Sequence, residues 1–252
     1  MSSELRVVNS VLSTALDIET NYPVSINRMV KRQKAPSPAP GTRDRILAAA
    51  MEEFAARGFD GAKVDRIAQH ARVNKAMLYY HFHHKAALFL EILRGQFGAV
   101  ADAVESVRSA GGSPEHQLRS FIDTIAREAL ARPHFPHMWL REIADGGRHV
   151  DAPVIAEFRR VLTTLGAILA DGQRTADFVK ADPFIVQISI VAPLMFFAAS
   201  APLRERAGKL IPPKPPAPSL EDVIQYVQAS VLSVLSGKVT KSPAPNLRRR
   251  SR

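Results

Sequence analysis

The 252-residue chain contains no cysteine, which excludes disulfides, thiolate nucleophiles and cysteine-ligated zinc or iron–sulfur centres. Long hydrophobic runs are missing as well. No apolar stretch approaches the roughly 18 to 20 residues that a membrane-spanning helix needs, and the first residues lack the basic region, apolar core and cleavage site of a secretory signal. The expected setting is cytoplasmic, with no membrane partner. No segment alternates apolar and polar residues between hairpin turns, so no sheet is expected, and there is no internal repeat. A nucleophile elbow, a glycine-rich phosphate loop and a catalytic carboxylate pair are all lacking. The expectation is a protein without catalytic residues or cofactor that is not an enzyme.

What the chain does have is enough apolar content, 46%, for one or two domains with real cores. Its net charge of +10 is unevenly spread. Residues 42 to 94 hold nine Lys/Arg against six Asp/Glu, residues 95 to 237 fourteen against fifteen, and residues 238 to 252 six against none. The largest segment is therefore not basic, and polyanion binding belongs to the front of the chain, assisted by the tails. Residues 1–41 end in the basic, proline-rich stretch 30–41 and are read as a flexible extension, with Met29 a plausible alternative start. Residues 238–252 read as a flexible basic tail, and the prolines at 212, 213, 215, 216 and 218 mark a loop.

Between these breaks the pattern is helical. A first helix is expected to open with Thr42 as N-cap and to stop at Gly58, with Ile46, Leu47, Ala50, Phe54 and Ala55 at helical spacing. A second runs from about Val64 to His70, a third from Lys75 to Tyr80 behind an Asn74 cap, and a fourth from about His84 to Arg108. Further helices are expected at Pro114–Ala131, Pro136–Ala144, Pro153–Thr175, Pro183–Ala199 and Leu220–Ser236, several with proline in the first turn, where no hydrogen bond is lost. The fold class is all-α: an N-terminal helix-turn-helix domain over 42–94 and a helical body over 95–237.

Two short helices joined by a tight turn, residues 64 to 80, suit a helix-turn-helix, whose second helix enters the DNA major groove. That helix carries Lys75, Met77, Tyr79, Tyr80 and His81, with Lys85 just beyond. Lysine and tyrosine can bond phosphate oxygens, lysine can meet guanine acceptors, and Met77 or Ala76 can touch a thymine methyl. The helix N-terminus at His84 and Lys85 adds backbone donors for a phosphate. His81, His83 and His84 invite a metal reading, but no carboxylate or cysteine lies at ligand spacing from two of them, so no metal is expected.

The stretch from Thr42 to Phe97 resembles the DNA-binding domain of the tetracycline-repressor (TetR) family of transcriptional regulators. The marks are Ile46-Leu47 with Ala49-Ala50, Phe54 with Gly58-Phe59, Ile67-Ala68, and Leu78-Tyr79-Tyr80-His81-Phe82 followed by Lys85 and Leu88. The resemblance implies a two-domain helical homodimer in which a ligand-binding body controls a DNA reader. Carried over by residue, it places Lys75, Ala76, Met77 and Tyr79 towards bases and Tyr80, His81 and Lys85 on phosphate. Arg43 and Arg45 are further phosphate or minor-groove candidates. The chain departs from the family pattern where Ala62 and Lys63 replace a Thr/Ser pair, leaving Lys63 to supply the phosphate contact. Ala76 stands where a glycine is common. Arg72 also replaces a glycine, a position that costs about 1 kcal/mol if left-handed.

The resemblance further implies a cavity between the middle helices, and ligand sites are mostly apolar with a few polar groups. Its expected lining is Phe121, His134, Met138, Trp139 and Phe158, with Arg141 and Glu142 as polar contacts and a small, mostly apolar effector as the ligand. The last two helices, about 183–203 and 220–236, are apolar on more than one face and must bury the second. Pairing with a second copy as a four-helix bundle would do so. The function expected is a repressor that binds a palindromic double-stranded operator as a homodimer and is released by the effector. The alternative is a helical ligand-binding or assembly protein that does not read DNA sequence.

Overall fold

The computed structural model describes residues 41–210 and 218–237. The expected extension before Gly41, the prolines at 212–216 and the 238–252 tail lie outside the described residues. Those described form ten helices: α1 (Thr42–Gly61), α2 (Val64–His70), α3 (Lys75–Phe82), α4 (Lys85–Ala110), α5 (Pro114–Ala131), α6 (His134–Ala144), α7 (Ala152–Arg174), α8 (Pro183–Ala199), α9 (Ala201–Leu210) and α10 (Leu220–Leu235).

The helix ends follow local chemistry. Asn74 Oδ1 accepts the Met77 N–H at 2.7 Å, Ser113 Oγ that of His116, and Asp182 Oδ1 those of Phe184 and Ile185. Each satisfies donors that a helix start leaves unpaired. One expected cap is corrected: Gly41, not Thr42, is the N-cap of α1, and Asp44 Oδ2 accepts the Gly41 N–H at 3.2 Å. The backbone does leave the helical region at Gly58 (φ 69°), but another turn continues to Gly61. The sequence reading also missed α9, which follows α8 at a 53° bend. No single described helix is long and apolar enough to cross a membrane, although α8 and α9 together meet that measure. Arg204, Glu205, Arg206 and Lys209 make α9 a polar surface helix with no buried residue.

Two apolar cores organise the described residues. The first joins Ile46, Phe54, Ile67, Leu78, Phe82, Leu88 and Phe89 of the head to Phe97, Phe135, Met138 and Met195 below it. The second joins Val104, Phe121, Leu165, Ile190, Ile224 and Leu235 of α4, α5, α7, α8 and α10. The boundary expected near residue 94 therefore falls inside α4, a continuous helix that serves both cores and packs most extensively on α7.

Candidate nucleic-acid interface and body cavity

The inner faces of α2 and α3 are set by Ile67, Ala68, Leu78 and Phe82, all buried. That burial fixes which side of α3 faces out. Lys75, Ala76, Met77, Tyr79 and Tyr80 are exposed, Tyr80 to 77%, and His81 is half-buried with its ring against Tyr80. Tyr80 in particular, at 77% exposure, is not accounted for by packing in the core. Lys75 Nζ lies 2.9 Å from Asp65 Oδ1, and the hydrogen bond to that carboxylate raises the lysine pKa above its ordinary value. Both partners are exposed, so exchanging the pair for a phosphate or base costs little.

The turns around α3 are tight. Arg72 has φ 55°, the left-handed conformation for which glycine is best suited, with its N–H bonded to Gln69 O and the Val73 N–H to Ala68 O. Arg72→Gly is expected to stabilise the fold by about 1 kcal/mol, a rise of roughly 2–4 °C in Tm. A thermal melt checks this, and an unchanged or lower Tm would contradict the strain. At the far end of α3, His83 (φ 59°, ψ −53°) is the middle of a three-residue turn closed by the His84 N–H on Phe82 O at 2.6 Å. His84 Nδ1 then accepts the Ala87 N–H at 3.0 Å, so one donor of the α4 N-terminus is already taken.

Several expected phosphate contacts are placed differently. Lys85 turns inward: its Nζ donates to Phe59 O at 2.9 Å and Ala62 O at 3.3 Å and sits 4.4 Å from the centre of the Phe59 ring. The interruption of α1 at Gly58 leaves carbonyls that an ammonium can satisfy, which outweighs solvation of the lysine. Arg43 pairs with Glu91 on α4 and covers the Phe82 ring. Arg45 Nε donates to Ala71 O at 3.3 Å, steadying the residue before the strained turn. Lys63 is exposed as the N-cap of α2, with no ion-pair partner for its ammonium among the described residues. The hydroxyl cap that Ala62 and Lys63 cannot supply is replaced from α1: buried Glu53 Oε1 accepts the Lys63 N–H at 3.1 Å and Arg66 Nε at 2.6 Å.

Burial alone would raise the Glu53 carboxyl, but the Lys63 N–H and the Arg66 guanidinium outweigh it, and the pKa lies below its ordinary 4.5. A carboxyl depressed on folding contributes stability above its unfolded pKa, and that contribution is lost as pH falls through the folded value. The Tm advantage of the wild type over Glu53→Gln is therefore expected to be full at pH 7 and to shrink below about pH 4.5. A pH-independent difference would refute the role of the carboxylate.

In the body, a cavity of about 50 Å³ lies between α4, α5, α6, α7 and α8. Of the expected residues Trp139 and Phe158 line it, together with Phe97, Ile125, Phe135, Val191 and Met195, which the sequence does not single out. Five expected lining residues stand elsewhere. Phe121 is wholly buried in the second core, and Met138 in the first. His134 and Arg141 border a separate open cleft against α1, with Glu52, Arg57, His70 and His137. In that cleft, burial first, then Arg141 and His134, lower the His137 pKa. Glu142 is buried and bound to His149, its Oε1 accepting the His149 N–H at 2.8 Å and its Oε2 lying 2.9 Å from Nδ1. The His149 ring stacks on Phe59 at 4.1 Å. With Arg141 donating to Ala56 O at 3.2 Å and Arg148 pairing with Asp60 at 2.6 Å, α6 and the loop after it grip the end of α1.

A helix-turn-helix with a buried inner face and an exposed second helix, standing on a helical body, is the geometry of a major-groove reader. Residues 46–92 match the family described as bacterial regulatory proteins, tetR family, and the chain is similar to HTH-type transcriptional regulators. The HTH-type transcriptional repressor NicS of Pseudomonas putida is 32% identical over 108 residues, covering 43% of this chain and about half (51%) of NicS. The regulator RutR of Escherichia coli is 23% identical over 172 residues, 68% of this chain and 79% of RutR. Among solved structures, the fatty acid degradation regulator FadR of Bacillus halodurans superposes with a TM-score of 0.61 at 17% identity, covering 78% of this chain and 97% of FadR. PfmR of Thermus thermophilus gives 0.61 at 22% identity over the same shares. These two similarities establish the fold.

Proposed function

We propose that the chain is a ligand-responsive transcriptional repressor that binds a palindromic operator as a homodimer and leaves it when a small, mostly apolar effector enters the body. Residues 42–94 are the reader, and 95–237 the sensor and dimerisation domain. The observation that carries this reading is the exposed face of α3, where Lys75, Ala76, Met77, Tyr79 and Tyr80 stand clear of a buried Leu78 and Phe82.

Dimerisation is supported by α8 and α10, which pack on each other and leave Phe184, Ile185, Ile188, Tyr226 and Val234 exposed. Two copies related by a two-fold axis would bury this surface as a four-helix bundle and hold two α3 helices about 34 to 36 Å apart, one turn of DNA. The effector would act by favouring a different head separation. α4 is suited to carry that change, since Phe97 and Val100 border the cavity while Leu88 and Leu93 lie in the head core. α6 offers a second path through Arg141 and Glu142. Light scattering at micromolar concentration is expected to give a dimer, and Ile188→Glu a folded monomer that no longer binds the operator. A monomeric wild type would overturn the assembly.

A further inference from the structure

Within the cavity one side chain has no structural explanation. We infer that Gln187 selects the ligand of the body cavity, and that this ligand is an uncharged, largely apolar molecule with one hydrogen-bond donor, a hydroxyl or N–H, received by Gln187 Oε1. This rests on the effector reading above and specifies the chemistry of the same site.

The walls are apolar except at two residues, Gln187 and Glu128. Glu128 is paired with Arg132 one turn along α5, so neither charge is left to answer a charged ligand. A carboxylate or ammonium entering here would be desolvated without a counter-ion, which is strongly unfavourable. Gln187 differs: it is only 4% exposed, and its Oε1 is buried with no hydrogen-bond partner among the described residues. Buried amides nearly always have partners, and leaving one unpaired destabilises the fold. A water would find only the Gln187 amide there, since Glu128 is taken by Arg132, whereas buried waters are usually held by about three hydrogen bonds. A ligand donor is the group that completes the site.

The cavity volume of about 50 Å³ is far below the roughly 300 Å³ or more of a small-molecule site. Entry of a ligand must therefore push a wall outward. Phe135 and Trp139 place α6 in that wall, and α6 also holds the end of α1 through Arg141. Binding at Gln187 and movement of the head thus share one element.

The test uses the full chain and three probes of similar size: octan-1-ol, its isomeric ether 1-methoxyheptane, and octanoate at pH 8. Trp139 is the only tryptophan and borders the cavity, so its fluorescence reports occupancy directly. Octan-1-ol is expected to bind about five- to tenfold more tightly than the ether, as one neutral hydrogen bond allows, and octanoate at least tenfold more weakly than the alcohol. In Gln187→Met and Gln187→Leu the alcohol and ether should differ by less than twofold. The ligand-free variants should melt no lower than the wild type, because an unpaired amide has been removed.

Octanoate binding as tightly as the alcohol, an alcohol preference that survives both variants, or no change in Trp139 emission with any probe would each overturn the inference. Operator affinity measured in the same samples separates the two readings. An alcohol that binds through Gln187 without weakening DNA binding supports the selection and sinks the effector role. Release by octanoate with no alcohol preference keeps the effector role and sinks the selection.

Discussion

Lys75→Ala is expected to weaken operator binding about a hundredfold while leaving the fold and the dimer intact. Lys75 opens α3, and its only partner among the described residues is the exposed carboxylate of Asp65. Exposed ion pairs contribute little to stability, so helix content and Tm should not change. At the DNA the same ammonium would be desolvated against a guanine edge, where one well-placed contact discriminates by about tenfold or more. A symmetric dimer uses it twice, and two separated tenfold losses multiply. The comparison must be made at fixed salt, since phosphate contacts make every affinity salt-dependent. A loss confined to the specific sequence marks Lys75 as a base reader, an equal loss on unrelated DNA marks a phosphate contact, and no loss removes it from the interface.

The second large effect concerns the body. Gly172→Ala is expected to destabilise the protein by about 2–4 kcal/mol. Phe178 folds back over the last turn of α7, its N–H bonded to Gly172 O at 3.0 Å. A Cβ on Gly172 would fall 2.0 Å from Phe178 Cδ2 and 2.6 Å from its Cγ. Because the clash reaches the root of the ring, no small rotation relieves it. The phenyl group, now 7% exposed, would have to leave the second core. For a chain of this size the loss corresponds to roughly 4–16 °C in Tm. Phe178→Leu in the alanine background should recover part of it, because the two residues share one space. Additive losses would show that the ring is not the obstacle.

Much of the fold is legible in the residues, and the exceptions have physical causes. Asn74 and the first-turn prolines Pro114 and Pro183 announce helix starts because each satisfies or removes an end donor, and those elements begin there. α9 is hidden because Ala201–Leu210 buries nothing and so shows no inward stripe. The all-helical class follows from Ile46, Phe54, Leu78 and the residues around them, which are local and periodic, and the family resemblance rests on the same stretch. The cavity is less legible because periodicity says that a side chain points inward but not to which core. Phe121 and Phe158 read alike, yet one is sealed in the second core and the other faces the cavity. Along α6 the difference is one of face: Phe135 and Trp139 reach the cavity, while Met138 and Glu142 serve the junction with the head.

Gln187 left a signal, a single amide inside the apolar run of Pro183–Ala199. In the sequence it counts against a membrane helix, and only burial turns it into a binding group. Lys85 is held by contacts that its place in the sequence does not show. Its place after the reader helix suggests phosphate, but the carbonyls of Phe59 and Ala62, residues more than twenty positions earlier, hold it. A sequence motif does not reveal which distant backbone groups lack partners.

The central claim is that α3 reads a specific DNA sequence on behalf of a symmetric dimer, and footprinting of the protein on DNA flanking its own coding region tests it most directly. The account predicts a protected palindrome whose half-sites are one helical turn, about 34–36 Å, or a multiple apart, resistant to salt that strips non-specific complexes and lost in Lys75→Ala. Protection that follows no sequence, or that disappears with salt at the same rate as binding to unrelated DNA, would contradict it.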